Sequence, residues 1–354
     1  MIAKQGDDRL LILDRGLKVH SDIALIIGNG LSINFSKFHN MDKFSDTQNP
    51  TKWPIKTLNS DKPLLDLLPN MKQFFEANAG ANDFDIFKRA VDIYKETEHG
   101  TLYFGRDKDS EEDVVILTPD YLRDIIPLEC RHFLCLAFSA YSLECKRKLN
   151  KDWPWYSWLH ANRSRLSAVC SFNYDLIIEY ALNKMVKSFY CEGSTYKFGS
   201  IPLYKPHGSC NYEATGLNLP ATYPLTSYID NFDSQIKQLE EWQYMLPRIV
   251  PHCVLPNQEN IYSHFNSMRY QEEKFYSSLM KVNYCVIIGH SYADVDRPEI
   301  DSALTKLKEG STVIIADPFP SEALKDKVLT LGLKLECWTS FLGPVDDSGK
   351  LLNI

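Results

Sequence analysis

Ile23-Ala24-Leu25-Ile26-Ile27-Gly28-Asn29-Gly30-Leu31-Ser32 is the stretch whose reading decides the fold. Five apolar residues in a row, with no polar alternation, read as a strand buried on both faces, as in the middle of a parallel sheet. The glycine pair after it reads as a tight turn that opens a helix. Three further runs have the same character: Leu166 to Ser171, Tyr284-Cys285-Val286-Ile287-Ile288 before Gly289, and Thr312-Val313-Ile314-Ile315-Ala316 before Asp317. Helical patterns follow two of them, over 176–186 and 301–308. Buried strands alternating with helices predict an α/β fold, a doubly wound, mainly parallel, Rossmann-like sheet. Ligands of such sheets sit outside the carboxyl ends of the strands. The glycine turn, Asn173, Gly289 and Asp317 all fall at such ends.

The first and second strands are far apart in the chain. Helical periodicity over 64–77, 83–96 and 121–148 predicts a large all-helical insertion, residues 41–158, packed over the sheet within a single domain spanning 1–354. The polar run from Phe104 to Asp113 is its expected exposed loop. The Trp153-Pro154-Trp155-Tyr156-Ser157-Trp158 cluster is expected to be core beneath it, and 216–228 an irregular connection.

The bulk numbers exclude several classes. With 354 residues, 44% hydrophobic and 24% charged, the composition is that of a globular protein with a substantial core. A net charge of −7 disfavours a surface that tracks nucleic-acid phosphates. The nine cysteines show no two-residue gap that would let neighbouring thiolates share a metal, and several sit inside apolar runs. They read as free thiols in a reducing cytosol. His252 and His264 show no metal spacing either. Residues 1–15 do not read as a signal peptide, and no apolar run reaches the roughly 18 residues a bilayer span needs. The chain is expected to be soluble and cytoplasmic, with no membrane partner.

Three motifs carry chemistry together. Gly28-Asn29-Gly30-Leu31-Ser32 places free backbone N–H groups at a helix start, which favours a diphosphate, and Ser32 could add a hydroxyl donor. The same residues could instead be a plain turn requiring positive φ. The dehydrogenase fingerprint is incomplete, since Ile33 stands where a third glycine is expected, and hydride transfer is disfavoured. In Ser171-Phe172-Asn173-Tyr174-Asp175, the Asn173 amide suits a ribose diol or a positioned water. Asp175 suits either ligand contact or a helix cap. In Lys205-Pro206-His207-Gly208-Ser209, His207 is held in a turn, where it could be structural or, since the ordinary pKa of an imidazole suits proton abstraction at neutral pH, a general base. Gly289-His290-Ser291-Tyr292-Ala293-Asp294-Val295-Asp296 adds a second strand-end turn. There Gly289 and Ser291 are placed for phosphate, and Asp294 and Asp296 read as caps of the next helix. Asp317 could hold an adenosine ribose or begin the turn at Pro318-Phe319-Pro320.

Taken together, these motifs resemble the sirtuin superfamily. Gly28-Asn29-Gly30-Leu31-Ser32 is similar to its Gly-Ala-Gly-x-Ser turn and Ser171-Phe172-Asn173-Tyr174-Asp175 to its Thr-Gln-Asn-Ile-Asp element. His207-Gly208 is similar to its catalytic His-Gly, and Gly289-His290-Ser291 to its Gly-Thr-Ser. The likeness is closer to the sirtuin-like NAD hydrolases of bacterial antiphage defence, where Phe-Asn-Tyr-Asp is followed by a Glu, as Glu179 follows here, and Gly-x-Ser by spaced aspartates. Deacetylating sirtuins carry two close cysteine pairs after the His, whereas between Gly208 and Pro247 only Cys210 occurs here, and Phe172 replaces the Gln. The resemblance implies cleavage of the nicotinamide–ribose bond of NAD+ as substrate, with no further cofactor and no metal. Asn173 would hold the ribose or the water, His207 would act as base, and Asp175 would contact the nicotinamide side. Gly28, Asn29, Gly30, Ser32, Gly289 and Ser291 would hold the diphosphate. Such an effector is expected to be restrained by a separately encoded sensor or activator, by homo-oligomerisation, or by both. The alternatives are an NAD or ADP-ribose sensor without turnover, and an ADP-ribosyl or deacyl transferase.

Overall fold

The computed structural model describes residues 21–56, 61–96, 103–106, 113–116, 119–192, 194, 197–215, 235–248, 251–256 and 266–354. The chain enters through β1 (Ile23–Ile27) and turns at once into α1 (Gly30–Phe38). The insertion follows, with α2 (Pro69–Ala77), α3 (Asp83–Glu96), a ribbon of β2 (Tyr103–Arg106) and β3 (Asp113–Ile116), and the long α4 (Pro119–Lys148). Next come α5 (Pro154–Ala161), β4 (Leu166–Ser171), α6 (Ile177–Lys184), β5 (Phe189–Tyr190) and β6 (Ile201–Tyr204). Three short antiparallel strands lie between β6 and the last third of the chain: β7 (Gly208–Thr215), β8 (Gln235–Gln238) and β9 (Pro251–Cys253). The last third alternates regularly: α7 (Asn266–Leu279), β10 (Tyr284–Ile288), α8 (Arg297–Thr305), β11 (Thr312–Ala316), α9 (Glu322–Thr330) and β12 (Lys334–Trp338).

Seven strands form one sheet in the order β12-β11-β10-β1-β4-β6-β5, and every neighbouring pair is parallel. From β1 the chain builds outward through β4, β5 and β6, then returns to place β10 on the other side of β1. The winding direction reverses at β1/β10, so the carboxyl ends of these two strands frame a switch-point crevice. This is the doubly wound, Rossmann-like α/β arrangement that the apolar runs predict.

Strand geometry explains why β1 reads as a continuous apolar run. Successive side chains point to opposite faces. Ile23, Leu25 and Ile27 join a core shared with the insertion, through Phe133, Leu134 and Tyr141 of α4. Ala24 and Ile26 join a second core with Phe275 of α7 and Ile300 and Leu304 of α8. Both faces are covered, so neither tolerates a polar residue.

Helices of the insertion share a core with one face of the sheet, and the two-stranded ribbon interrupts them, so the insertion is not all-helical. The ribbon arms include parts of the loop expected at 104–113; its residues 107–112 lie outside the described ones, as do 216–228 and 1–15. The tryptophan cluster is core: Trp153, Trp155 and Trp158 are all buried. Among the described residues no helix is long and apolar enough to cross a membrane.

Candidate active site

A cavity of about 510 Å³ opens over the carboxyl ends of the sheet. Gly28, Asn29 and Gly30 line it from the end of β1, and Asn173 and Asp175 from the end of β4. His207 enters from the turn before β7, Gly289 and Ser291 from the end of β10, and Asp317 from the end of β11. Every site residue read from the sequence lines this cavity except Ser32. Its size lies within the ordinary range of small-molecule sites, roughly 300–1,000 Å³.

The glycines have a more specific cause than either reading offered. Gly28 and Gly30 do not have positive φ, so no left-handed turn demands them. They are needed because the β1 and β10 turns touch backbone to backbone. A Cβ on Gly30 would lie 2.4 Å from the Gly289 Cα, and one on Gly28 would lie 2.6 Å from the Gly289 carbonyl oxygen. Gly28 N–H donates to the Ile288 carbonyl and Gly30 N–H to the Gly289 carbonyl, each at 2.8 Å. Gly289 itself takes φ +57° and donates to Ala316. The three glycine N–H groups are therefore occupied by carbonyls, which corrects the expectation that they face a diphosphate. What remains for an anion is the positive end of α1 and Ser291.

Ser32 is corrected as well. It is fully buried behind the wall, donating its hydroxyl to Asp175 Oδ2 at 2.5 Å and accepting from Asn173 Nδ2 at 3.0 Å. The second Asn173 N–H donates to the Gly28 carbonyl at 3.0 Å. With both donors held, the group that Asn173 can offer a ligand is its Oδ1. Asp175 combines its two readings: Oδ1 accepts from the Ile177 N–H at the start of α6, while the residue still borders the cavity. Burial raises its pKa, opposed by the Ser32 hydrogen bond and the nearby Lys205 ammonium.

Behind Asp175 lies a fully buried lysine. Lys205 donates to the Asp175 carbonyl at 2.7 Å, to Glu179 Oε1 at 2.8 Å and to Ser209 Oγ at 3.0 Å. Burial acts to lower its pKa, but the Glu179 and Asp175 carboxylates overcome this and raise it. The network fixes the β4–α6 turn, and through Ser32 it fixes the Asn173 amide.

His207 borders the same cavity. Burial pushes its pKa down to about 4, so the ring is neutral at ordinary pH. His290 is likewise lowered to about 4, by burial first and by His207 second. The Phe172 ring stands edge-on to both, with centroids 5.2 Å from His207 and 4.9 Å from His290. Asp296 lies between the imidazoles, with Oδ1 3.3 Å from His207 Nε2 and Oδ2 3.4 Å from His290 Nε2. Burial lifts its carboxyl to about 6, moderated by Lys88. Asp296 occupies the N-cap position of α8, but its side chain makes no capping bond. Asp294 pairs with Arg297 at the surface instead of capping. His290 and Asp296 are therefore site residues that the sequence reading set aside. The signal that could have found them is their position one and seven residues after Gly289.

The roof of the cavity comes from the insertion: Gln48, Asn82, Phe84, Asp85, Lys88 and Phe138. Asn29 ties roof to floor by donating its amide to Thr47 Oγ1 at 2.9 Å. Asp317 begins its turn by accepting from the Phe319 N–H at 2.7 Å, and both residues border the cavity. Among the described residues no group of three His, Cys, Asp or Glu side chains could hold a metal ion.

A scan against models of protein families finds no match, and a search of curated proteins finds none either. Among solved structures, one concerned with the structural basis for the mechanism and regulation of Sir2 enzymes aligns over 92% of this chain and 90% of its own. Sequence identity in that alignment is 11% and the TM-score is 0.32.

Proposed function

We propose that the cavity binds NAD+ and hydrolyses its nicotinamide–ribose bond, releasing nicotinamide and ADP-ribose. One observation carries this reading. An acceptor with both its own donors held, Asn173 Oδ1, and a neutral imidazole, His207, line one switch-point cavity beside the start of α1. Nicotinamide leaves a cationic ring as a neutral molecule, so the protein must mainly stabilise an oxocarbenium-like ribose and orient a water. In this reading Asn173 Oδ1 accepts from the ribose hydroxyls or the water, and His207 takes the water's proton. The diphosphate lies against the start of α1 and Ser291, and Asp317 faces the adenosine end.

Unrestrained NAD+ cleavage would deplete the cell that makes the enzyme. The motif likeness to antiphage NAD hydrolases supports a toxic effector held inactive until a separately encoded partner, or self-assembly, releases it. The test is to incubate the purified chain with NAD+, with and without the product of the adjacent gene, and measure nicotinamide. Release that is lost in both Asn173→Ala and His207→Ala is expected. No release under any activating condition, together with tight ADP-ribose binding, would instead identify a sensor without turnover. Labelled ADP-ribose appearing on protein would identify a transferase.

A further inference from the structure

Asp296 stands at the helix-capping position of α8 yet leaves the helix uncapped and presents its carboxylate to two imidazoles. Each oxygen has a different neighbour. The Tyr292 N–H donates to His290 Nδ1 at 2.9 Å. The neutral His290 ring therefore carries its proton on Nε2, the nitrogen that faces Asp296 Oδ2 at 3.4 Å. Asp296 Oδ1 lies 3.3 Å from His207 Nε2 but closes no hydrogen bond, and it is buried from solvent. A buried acceptor without a partner is destabilising, so its persistence at the cavity wall needs a cause. Phe172, edge-on to both rings, keeps the imidazoles from turning away.

We infer that Asp296 is the carboxylate of an Asp–His pair: His207 takes the proton of the attacking water, Asp296 stabilises the imidazolium so formed, and His290 holds the carboxylate in place. This rests on the hydrolase reading above. In the step, a water O–H bond breaks and its proton goes to the His207 ring. The water oxygen forms the new bond to ribose C1′, and the C1′–N electron pair leaves with nicotinamide, which becomes neutral. The proton on His207 then passes to solvent. The charged groups around the pair are Lys88 of α3, which lowers the Asp296 pKa, and Glu299 of α8, which raises that of His207. Arg297 is engaged with Asp294 at the surface. An isolated buried imidazole would resist protonation, and an ionised carboxylate beside it lessens that resistance.

The experiment compares Asp296→Asn, Asp296→Glu and His290→Gln with the wild type. Two readouts are taken: kcat and KM for nicotinamide release against pH, and the titration of the His207 and His290 ring resonances by NMR. Asp296→Asn is expected to lower kcat by about 10²–10⁴-fold with KM near wild type. It should also remove the loss of activity expected of the wild type as pH falls through about 6, and move the His207 titration to lower pH. Asp296→Glu should recover part of kcat, and His290→Gln should lower it less than Asp296→Asn does. An unchanged kcat and pH profile in Asp296→Asn, or unchanged imidazole titrations, overturns the pair. A wild-type protein that releases no nicotinamide overturns the hydrolase reading instead, while the titrations still decide whether Asp296 governs His207. Should Asp296→Asn fail to fold, Asp296→Glu and His290→Gln carry the same readouts.

Discussion

Burial holds the Asp296 carboxyl at about 6, above the 3.8 it would have in an unfolded chain. The folded protein therefore binds more protons than the unfolded one between those values. Its stabilisation is complete below 3.8 and is lost as pH rises through 6. Asp296→Asn has no proton to lose, so above pH 6 it should be more stable than the wild type by about 3 kcal/mol, a difference that fades towards pH 4. Denaturant midpoints measured at both pH values check this, and a variant less stable than wild type above pH 6 would count against it. Stability given up at a working residue is a common trade. The glycines at the strand ends make a second residue-scale prediction. Gly30→Ala should cost about 1–3 kcal/mol, because its Cβ meets backbone that cannot yield. Gly310→Ala is the control, with φ +78° but no atom within 4 Å, and should cost about 1 kcal/mol. At this scale Asn173, His207 and the glycines were legible because strand-end turns expose them in the sequence. Asp296 was not, because an acidic residue before a helix already has an ordinary explanation as a cap. Only the fold brings it against His207, 89 residues earlier in the chain.

The central strands were legible because they are apolar on both faces and uninterrupted. The edge strands were not. β12 alternates Lys334, Leu335, Glu336, Cys337 and Trp338, as an edge with a solvated side does, while β6, one strand in from the β5 edge, is broken by Pro202. The antiparallel β7–β8–β9 sheet was hidden by its polar composition and by pairings that span distant segments. Lys205 at the end of β6 is the sharpest case, since a lysine reads as a surface residue until Glu179 of α6 is seen to meet it. Lys205→Met should destabilise the protein by about 3–5 kcal/mol, because it leaves the buried Glu179 carboxylate uncompensated. Thermal or chemical unfolding measures this, and Lys205→Met with Glu179→Leu should recover much of the loss. The insertion contributes through α3. Lys88 lowers the Asp296 pKa from the cavity roof, so Lys88→Met should move the acid limb of the activity profile to higher pH while leaving the fold intact. An unmoved limb would mean that the roof does not reach the chemistry electrostatically.

Across the whole molecule, the insertion and the sheet share one core. The Tyr141 hydroxyl of α4 donates to the Ser32 carbonyl at 2.9 Å and is within hydrogen-bond distance of Ser36 Oγ at 2.8 Å, both on α1. Phe133 and Leu134 pack in the same cluster as Ile23 and Leu25. The chain should therefore unfold in a single calorimetric transition, and excision of 41–158 should leave a sheet that does not stay folded. Two separated transitions would show instead that the insertion is an independent domain. That the insertion covers the sheet was legible from its helical periodicity. That it roofs the cavity was not, because no local pattern tells which helix face meets a site assembled from the ends of strands far apart in the chain. The backbone contact between the two glycine turns has a consequence for motion. Strands β1 and β10 cannot part at their carboxyl ends without breaking two hydrogen bonds and a packing contact that no side chain cushions, so the cavity floor is rigid. Breathing of the cavity must come from above, where the segment around Thr47 is tied to the floor by the Asn29 amide. Whatever admits substrate or keeps it out therefore acts as a hinge on the roof, and the reacting groups below stay in register while it swings.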